Sequence, residues 1–383
     1  MRGKTTDEIK PFIVMDVLER ALALERTGRS IVHLEIGEPD FATPPAIVDA
    51  CIEALKNGET HYTDSRGIPG LRAAIASYYE RRYGVKITED RVLVTMGVSP
   101  ALLLVLSILI EENGDEILLG NPYYPCYPNF IRYMHGTPRF IFSEAADGFQ
   151  LKPAAVEGAI TPKTHAIMIN SPSNPTGTLM PRDDLEAICN LGVAVISDEI
   201  YHGLVYNETE HTALEFTENA FVLNGFSKLF AMTGWRLGYI IAPKRAVRRL
   251  HILLQNIFIS PNAFVQHAGI AALTKKHPEI EEMRQKYDAR RRYLLRELPK
   301  LGLRYALEPR GAFYFFVDTS HIDNDSLRLA FDILEKADVA LTPGIDFGDR
   351  GEGHLRISYA NSLVNITEGV RRLGVYLTER GAL

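Results

Sequence analysis

The chain has 383 residues, 23% of them charged, and carries a net charge of −6. That length exceeds one ordinary compact domain and predicts a large domain with a smaller companion. The acidic balance argues against a nucleic-acid partner, because neutralising phosphates needs a concentrated basic surface. The basic groups Arg248 with Arg249, and Arg290 to Arg292, fall in amphipathic helical stretches and read as solvated faces. Cys51, Cys126 and Cys189 are odd in number, widely spaced and without a CxxC pair, which predicts a reducing compartment with neither structural disulfides nor zinc.

The opening residues, MRGKTTDEIKPF, contain no apolar core of the kind a signal peptide needs. From about residue 90 short β-rich runs alternate with helical stretches, at 91–95, 116–119, 139–142, 166–169, 193–197, 221–223 and 237–241. These runs are continuously apolar rather than alternating, which marks strands covered on both faces and a mostly parallel sheet flanked by helices. The longest apolar stretch, 101–110, is about half what a bilayer crossing requires and ends in Glu111 and Glu112, so it predicts a buried helix. A cytoplasmic protein without membrane contact is expected. Beyond residue 243 helices dominate, the longest over 277–298. Strand runs at 313–317, 339–341 and 354–358, with helices around 325–336 and 364–379, predict a smaller α+β unit that the N-terminal segment joins. The predicted division is 46–285 for the large domain, and 1–45 with 286–383 for the small one.

In open α/β sheets ligands gather at the carboxyl ends of strands, so polar residues just after apolar runs are the first candidates. Gly97, Val98 and Ser99 follow the first run and precede a helix, where free N–H groups suit a phosphate; an ordinary turn with Ser99 as N-cap reads the same. Asn174 offers an amide in the turn after 166–169. Asp198 ends the next strand, and a carboxylate leaving an apolar strand implies a cationic partner unless it caps a helix. Lys228 sits among Phe226, Leu229 and Phe230, surroundings that favour a neutral amine able to form a Schiff base, and Arg236 can hold an anion nearby. The alternative is a snorkelling lysine and a surface ion pair.

Taken in order, GVSPAL (97–102), NPYYP (121–125), SNPTG (173–177), DEIY (198–201), FSK with GWRLG (226–238) and HLRISYA (354–360) resemble the motifs of class I/II aminotransferases. These have the aspartate aminotransferase fold, fold type I, of pyridoxal-phosphate enzymes. The resemblance runs from GEPDF at 37–41 to Arg356. It implies that Lys228 binds pyridoxal 5′-phosphate as an internal aldimine and moves the proton between Cα and C4′, and that Asp198 pairs with the pyridine nitrogen. It further implies that Tyr201 and Asn174 bond the phenolate oxygen, that Tyr124 stacks on the ring, that Val98, Ser99 and Arg236 hold the phosphate, and that Ser227 also binds the cofactor. Tyr62 resembles a phosphate contact that the family supplies from the other subunit, which implies a homodimer with shared sites. Arg356 resembles the arginine gripping the substrate carboxylate, with Gly37 approaching the same group. A cis bond before Pro175 is also implied.

The resemblance departs at Gly225, where many members carry a hydroxyl bound to phosphate. It departs again at Phe12, Ile13 and Val14, where some aspartate-specific members carry small hydroxyl residues, and this favours alanine, branched-chain or aromatic donors. The expected activity is ping-pong amino transfer from an L-amino acid to a 2-oxo acid. A lyase or decarboxylase on the same cofactor is the alternative, because the fold does not decide which bond at Cα breaks. A ligand sensor fused to a DNA-binding module and a nicotinamide dehydrogenase are disfavoured, the latter because no GxGxxG follows a strand.

Overall fold

The computed structural model describes residues 8–382, so the first seven residues of the predicted N-terminal segment lie outside it. Helix α1 (Ile13–Glu25) buries Val14, Val17, Ala21 and Leu24 along one face, the spacing of an amphipathic helix. It leads through β1 (Val32–His33) to α2 (Pro45–Lys56) and α3 (Pro69–Tyr83), both begun by proline at the first helical position. None of these elements before residue 90 stands out in the sequence reading.

Seven strands then form one sheet: β2 (Val92–Thr95), β3 (Glu116–Asn121), β4 (Thr137–Phe142), β5 (Thr164–Asn170), β6 (Ala194–Asp198), β7 (Ala220–Gly225) and β8 (Gly238–Ile241). Their order across the sheet is β2, β8, β7, β6, β5, β3, β4. Only β8 runs antiparallel to its neighbours β2 and β7. Every residue of β2, β6, β7 and β8 is buried. Alternate residues enter opposite cores: Val92 and Val94 face one, Leu93 the other. A strand that must feed two cores has no polar face, which explains the unbroken apolar runs. The exception is β4 at the sheet edge, where exposed and covered residues alternate. The apolar stretch after β2 is helix α4 (Val98–Leu109), buried as predicted.

A separate smaller sheet has the order Thr342–Pro343, His354–Ser358, Tyr314–Asp318, Arg304–Tyr305, all antiparallel. The N-terminal segment joins this region, because Val32 and His33 pair in parallel with Val339 and Ala340. A third core around Tyr287, Phe313, Phe315 and Tyr359 fills it. The longest helix is Pro278–Glu297, and here one expectation fails. Arg290 and Arg291 are buried rather than solvated, since Arg290 pairs with Asp40 at 2.7 Å and Arg291 with Asp288 at 2.7 Å and with Glu308. Their partners come partly from distant segments, and a buried guanidinium is tolerated only when so paired. Among the described residues no helix is long and apolar enough to cross a membrane.

Candidate active site

The carboxyl ends of β2, β5, β6 and β7 open into a cavity of about 360 Å³, closed from the other side by α1, residues 36–38, Tyr314 and Arg356. Of the residues singled out from sequence, Gly37, Val98, Ser99, Tyr124, Asn174, Asp198, Tyr201, Ser227, Lys228, Arg236 and Arg356 all line it. Tyr62 does not; it is 81% exposed elsewhere on the surface. Phe12 and Val14 line the cavity as well, whereas Ile13, named with them, is replaced by Met15.

Asp198 ends β6 with its side chain buried. The cationic partner expected of it is not a side chain of this chain among the described residues; its carboxylate instead accepts the Tyr127 hydroxyl at 2.6 Å and the Ile200 N–H at 3.2 Å. Burial outweighs these two bonds and raises its pKa from 3.8 to about 6. A shift of that size is worth about 3 kcal/mol in favour of the neutral acid, and a cation in the cavity would reverse it.

Lys228 is half-buried, and its ammonium donates to the Gly37 carbonyl at 2.6 Å. Loss of water lowers its pKa from 10.5 to about 8, against the attraction of Glu38 and Asp198 and with help from Arg356 and Arg236. The direction is the one expected, but the source differs. Phe226 and Phe230 turn into the main core, and the rings nearest the amine are Phe313 at 5.9 Å and Tyr201 at 6.0 Å. The segment carrying Gly37 is laced to the lysine loop: Thr43 donates to the Ala231 carbonyl at 2.7 Å, Trp235 donates to Thr43 at 3.1 Å, and Thr233 donates to Glu38.

Gly97, with φ of 99°, caps α4 and aims the first helical N–H groups, those of Val98 and Ser99, at the cavity. Ser99 is inside the helix and caps nothing. A Cβ on Gly97 would come within 2.7 Å of the Arg236 guanidinium, so the glycine keeps this cradle open. Gly225 has a different reason. It is buried in β7 opposite Gly238, and a Cβ there would meet the Leu237 carbonyl at 2.9 Å, so close strand packing leaves no room for a hydroxyl side chain.

Arg356 is buried, with its guanidinium donating to Asn174 Oδ1 at 2.9 Å, Thr342 Oγ1 at 3.1 Å and the Glu35 carbonyl. It stacks between Tyr314 and Phe347 at 4.5 and 5.0 Å, and its Nε has no partner among the described residues. Asn174 is held by its own N–H on Asn170 Oδ1 at 2.8 Å. The cis bonds precede Pro122 and Pro172; the bond before Pro175 is trans, contrary to expectation, within a turn closed by the Gly177 N–H on the Ser173 carbonyl at 2.9 Å.

Two hydroxyls escaped the sequence reading. Tyr127 lies in the first turn of the helix Cys126–Tyr133, three residues past Tyr124, whose carbonyl accepts its N–H at 3.0 Å and whose ring meets its own edge-on at 5.2 Å; only its nearness in sequence to Tyr124 could have revealed it. Tyr314, bonded to the Tyr201 hydroxyl at 2.8 Å, left no signal beyond its place in an apolar strand. Its ring also explains Gly37, where any Cβ would collide with the Tyr314 hydroxyl. Asp346 was missed too; it is buried, accepts the N–H groups of Ile13 and Val14 at 3.0 and 3.2 Å, and has its pKa raised by burial from 3.8 to about 6.

A doubly covered sheet with a lysine, a buried carboxylate and a helix N-terminus around one cavity defines the architecture of the fold type I enzymes. The chain belongs to the family of class I and II aminotransferases, whose profile matches residues 29–373. It is 43% identical to the (5-formylfuran-3-yl)methyl phosphate transaminase of Methanocaldococcus jannaschii, over 99% of this chain and 100% of that one. It is 38% identical to the aspartate/prephenate aminotransferase of Thermus thermophilus, over 97% and 98%. A Methanococcus jannaschii crystal structure, described as similar in its active site to kynurenine aminotransferases, superposes with a TM-score of 0.92 at 43% identity, covering 98% of this chain and 100% of that one. The chain is a transaminase.

Proposed function

We propose that the protein transfers the amino group of an L-amino acid with an apolar side chain to a 2-oxo acid, in a ping-pong reaction, using pyridoxal 5′-phosphate bound through a Schiff base on Lys228. The observation that carries this reading is the pairing of a buried Asp198, without a basic partner among the described residues, and a desolvated Lys228 amine on one cavity. Those two groups fit a cationic pyridine nitrogen at one end of the ligand and an aldehyde at the other, and the cradle of Val98, Ser99, Ser227 and Arg236 fits its phosphate. When bound, the cofactor supplies an electron sink for the pair left on Cα.

Lys228 Nζ would be the base that takes the Cα proton and returns it. Asp198 would keep the ring nitrogen of a bound cofactor protonated, and the Tyr127 hydroxyl fixes the carboxylate's orientation. Tyr201 and Asn174 would bond the phenolate oxygen of a bound cofactor, and Tyr124 would cover its ring. Arg356 grips the substrate carboxylate, its unpartnered Nε being a buried donor that such a group would satisfy. The first amino acid leaves its nitrogen on the enzyme and departs as an oxo acid, and the second oxo acid collects it. Residues 46–285 form the cofactor-binding domain in this reading, and 1–45 with 286–383 the domain that closes over substrate. The enzyme is taken to be a cytoplasmic homodimer in which Tyr62 reaches the site of the other copy.

The cavity wall supports this substrate class. Phe12, Val14, Met15 and Ile36 line it, and among the described residues its cations are Lys228, Arg236 and Arg356, each already assigned. A distal carboxylate would meet apolar surface, a desolvation cost that favours leucine, phenylalanine or tyrosine over aspartate by about tenfold or more. The test is a half-reaction screen in which holoenzyme is mixed with one amino acid at a time and loss of the Schiff-base absorbance is followed. Rapid reaction with aspartate alone would defeat the apolar-wall argument, and absence of any keto-acid-reversible change would defeat amino transfer.

The lowered pKa of Lys228 gives a second expectation. Only the unprotonated amine attacks an aldehyde, so the rate of Schiff-base formation by the cofactor-free protein rises about tenfold per pH unit up to about pH 8 and levels off above it. Stopped-flow absorbance across pH 6 to 11 reads this directly. A rise that continues to the ordinary lysine value of 10.5 would mean that the site does not desolvate the amine.

A further inference from the structure

We infer that Asp346 is a positioning residue for side-chain specificity: by holding the first turn of α1 it sets the apolar wall that the substrate side chain meets. The inference rests on the amino-acid reading above. Helix α1 begins with N–H groups that have no partner inside the helix, and its N-cap residue, Phe12, has no side chain able to accept them. Asp346 supplies what is missing from the far end of the chain. Its two carboxylate oxygens take one N–H each, from Ile13 at 3.0 Å and Val14 at 3.2 Å. An ionised carboxylate suits this place doubly, offering two acceptors and a charge opposite to that of the helix N-terminus.

The carboxylate is itself firmly placed. It lies in the turn Gly344–Phe347, where the Ile345 N–H donates to Ser326 Oγ at 3.0 Å and the Phe347 carbonyl accepts the Tyr123 N–H at 2.9 Å. Phe347 in turn stacks under Arg356. One short turn therefore supports both the arginine assigned to the substrate carboxylate and the helix end that presents Phe12, Val14 and Met15 to the cavity. The Phe12 ring closes the arrangement, edge-on to Tyr124 at 5.9 Å. Asp346 does not line the cavity and touches no substrate. Its effect is to hold the wall at a set distance from the carboxylate grip.

The test uses holoenzyme carrying Asp346→Asn, which keeps the shape but replaces one acceptor by a donor, and Asp346→Ser, which keeps a single acceptor. Two readouts are taken: amide hydrogen exchange in residues 12–17, and kcat/KM for phenylalanine and for alanine in the half-reaction. Exchange in that turn is expected to rise about fivefold or more in D346N, matching the loss of a helix cap. The phenylalanine to alanine ratio of kcat/KM should fall about fivefold, through KM, with the serine variant between. In a Phe12→Ala background D346N should change that ratio less than about twofold, since the two changes act on one element. Unchanged exchange, an equal loss for both donors, or an undiminished effect in F12A would each overturn the inference. So would faster exchange with an unchanged ratio, which would leave Asp346 a helix cap only. If the unaltered enzyme reacts with neither donor, the substrate-class reading fails and the specificity role falls with it, whereas the exchange result still reports whether Asp346 holds the helix.

Discussion

Replacing Lys228 by alanine is expected to lower kcat/KM for amino transfer by at least about 10⁴-fold, because in the proposed mechanism one change removes both the covalent anchor and the base that moves the Cα proton. Among the described residues no other lysine lines the cavity, so none of them offers a neighbouring amine to take over either task. The fold should survive. The described hydrogen bond of the side chain is a single one, to the Gly37 carbonyl, and removing a desolvated ammonium relieves a burial cost rather than creating one. Borohydride reduction followed by mass spectrometry checks the covalent role, with the cofactor's mass expected on the peptide containing Lys228 in the unaltered protein and on no peptide in K228A. Single-turnover rates and a circular-dichroism melt complete the measurement. A label on a different lysine, or turnover in K228A within tenfold of the unaltered enzyme, would remove Lys228 from the centre of the mechanism.

Arg356→Ala is expected to lower kcat/KM for amino acids by about 100-fold or more, mainly through KM. Truncating one partner of a buried charge pair costs about 2–5 kcal/mol, and the substrate carboxylate would be left without its planar fork. Arg356 also bonds Asn174, Thr342 and the Glu35 carbonyl, so a lower rate alone does not separate substrate binding from support of the site. The discriminating measurement compares phenylalanine with phenethylamine, which lacks the carboxylate. A loss confined to the amino acid assigns the guanidinium to the carboxylate, and an equal loss for both makes it a structural residue. Arg356→Lys should recover only part of the loss, since a point charge cannot give two parallel donors.

Much of the sheet was legible because its signals are local. An unbroken apolar run followed by a turn marks a doubly covered strand, and a polar residue at its end is conspicuous by the cost of burying it, as at Asn174 and Asp198. Of the helices before β2, α3 was not legible, since it buries Arg72 with its apolar residues and its sequence carries only a weak amphipathic pattern, whereas α1 carries the amphipathic spacing and went unread. Arg290 and Arg291 read as solvated because their partners Asp40 and Glu308 are remote in sequence. The environment of Lys228 shows the same limit. Its neighbours in the chain suggested an apolar setting, yet Phe226 and Phe230 face away, and the rings nearest the amine belong to Tyr201 and Phe313.

The sequence by itself determined the seven strands of the main sheet, most of the residues that line the cavity with polar chemistry, and that a lysine, a carboxylate and an arginine recur in the order of one family. Run length, turn chemistry and residue type are properties of short windows. What only the tertiary structure decided is who meets whom: that the carboxyl ends of β2, β5, β6 and β7 share one cavity with Gly37 and Arg356, that Tyr127 answers Asp198, that Gly225 is required by β8, and that Asp346 caps a helix 332 residues before it. These contacts depend on strand order and on closing long loops, and the free energy that selects them comes from burying whole faces together, a quantity that no local pattern contains.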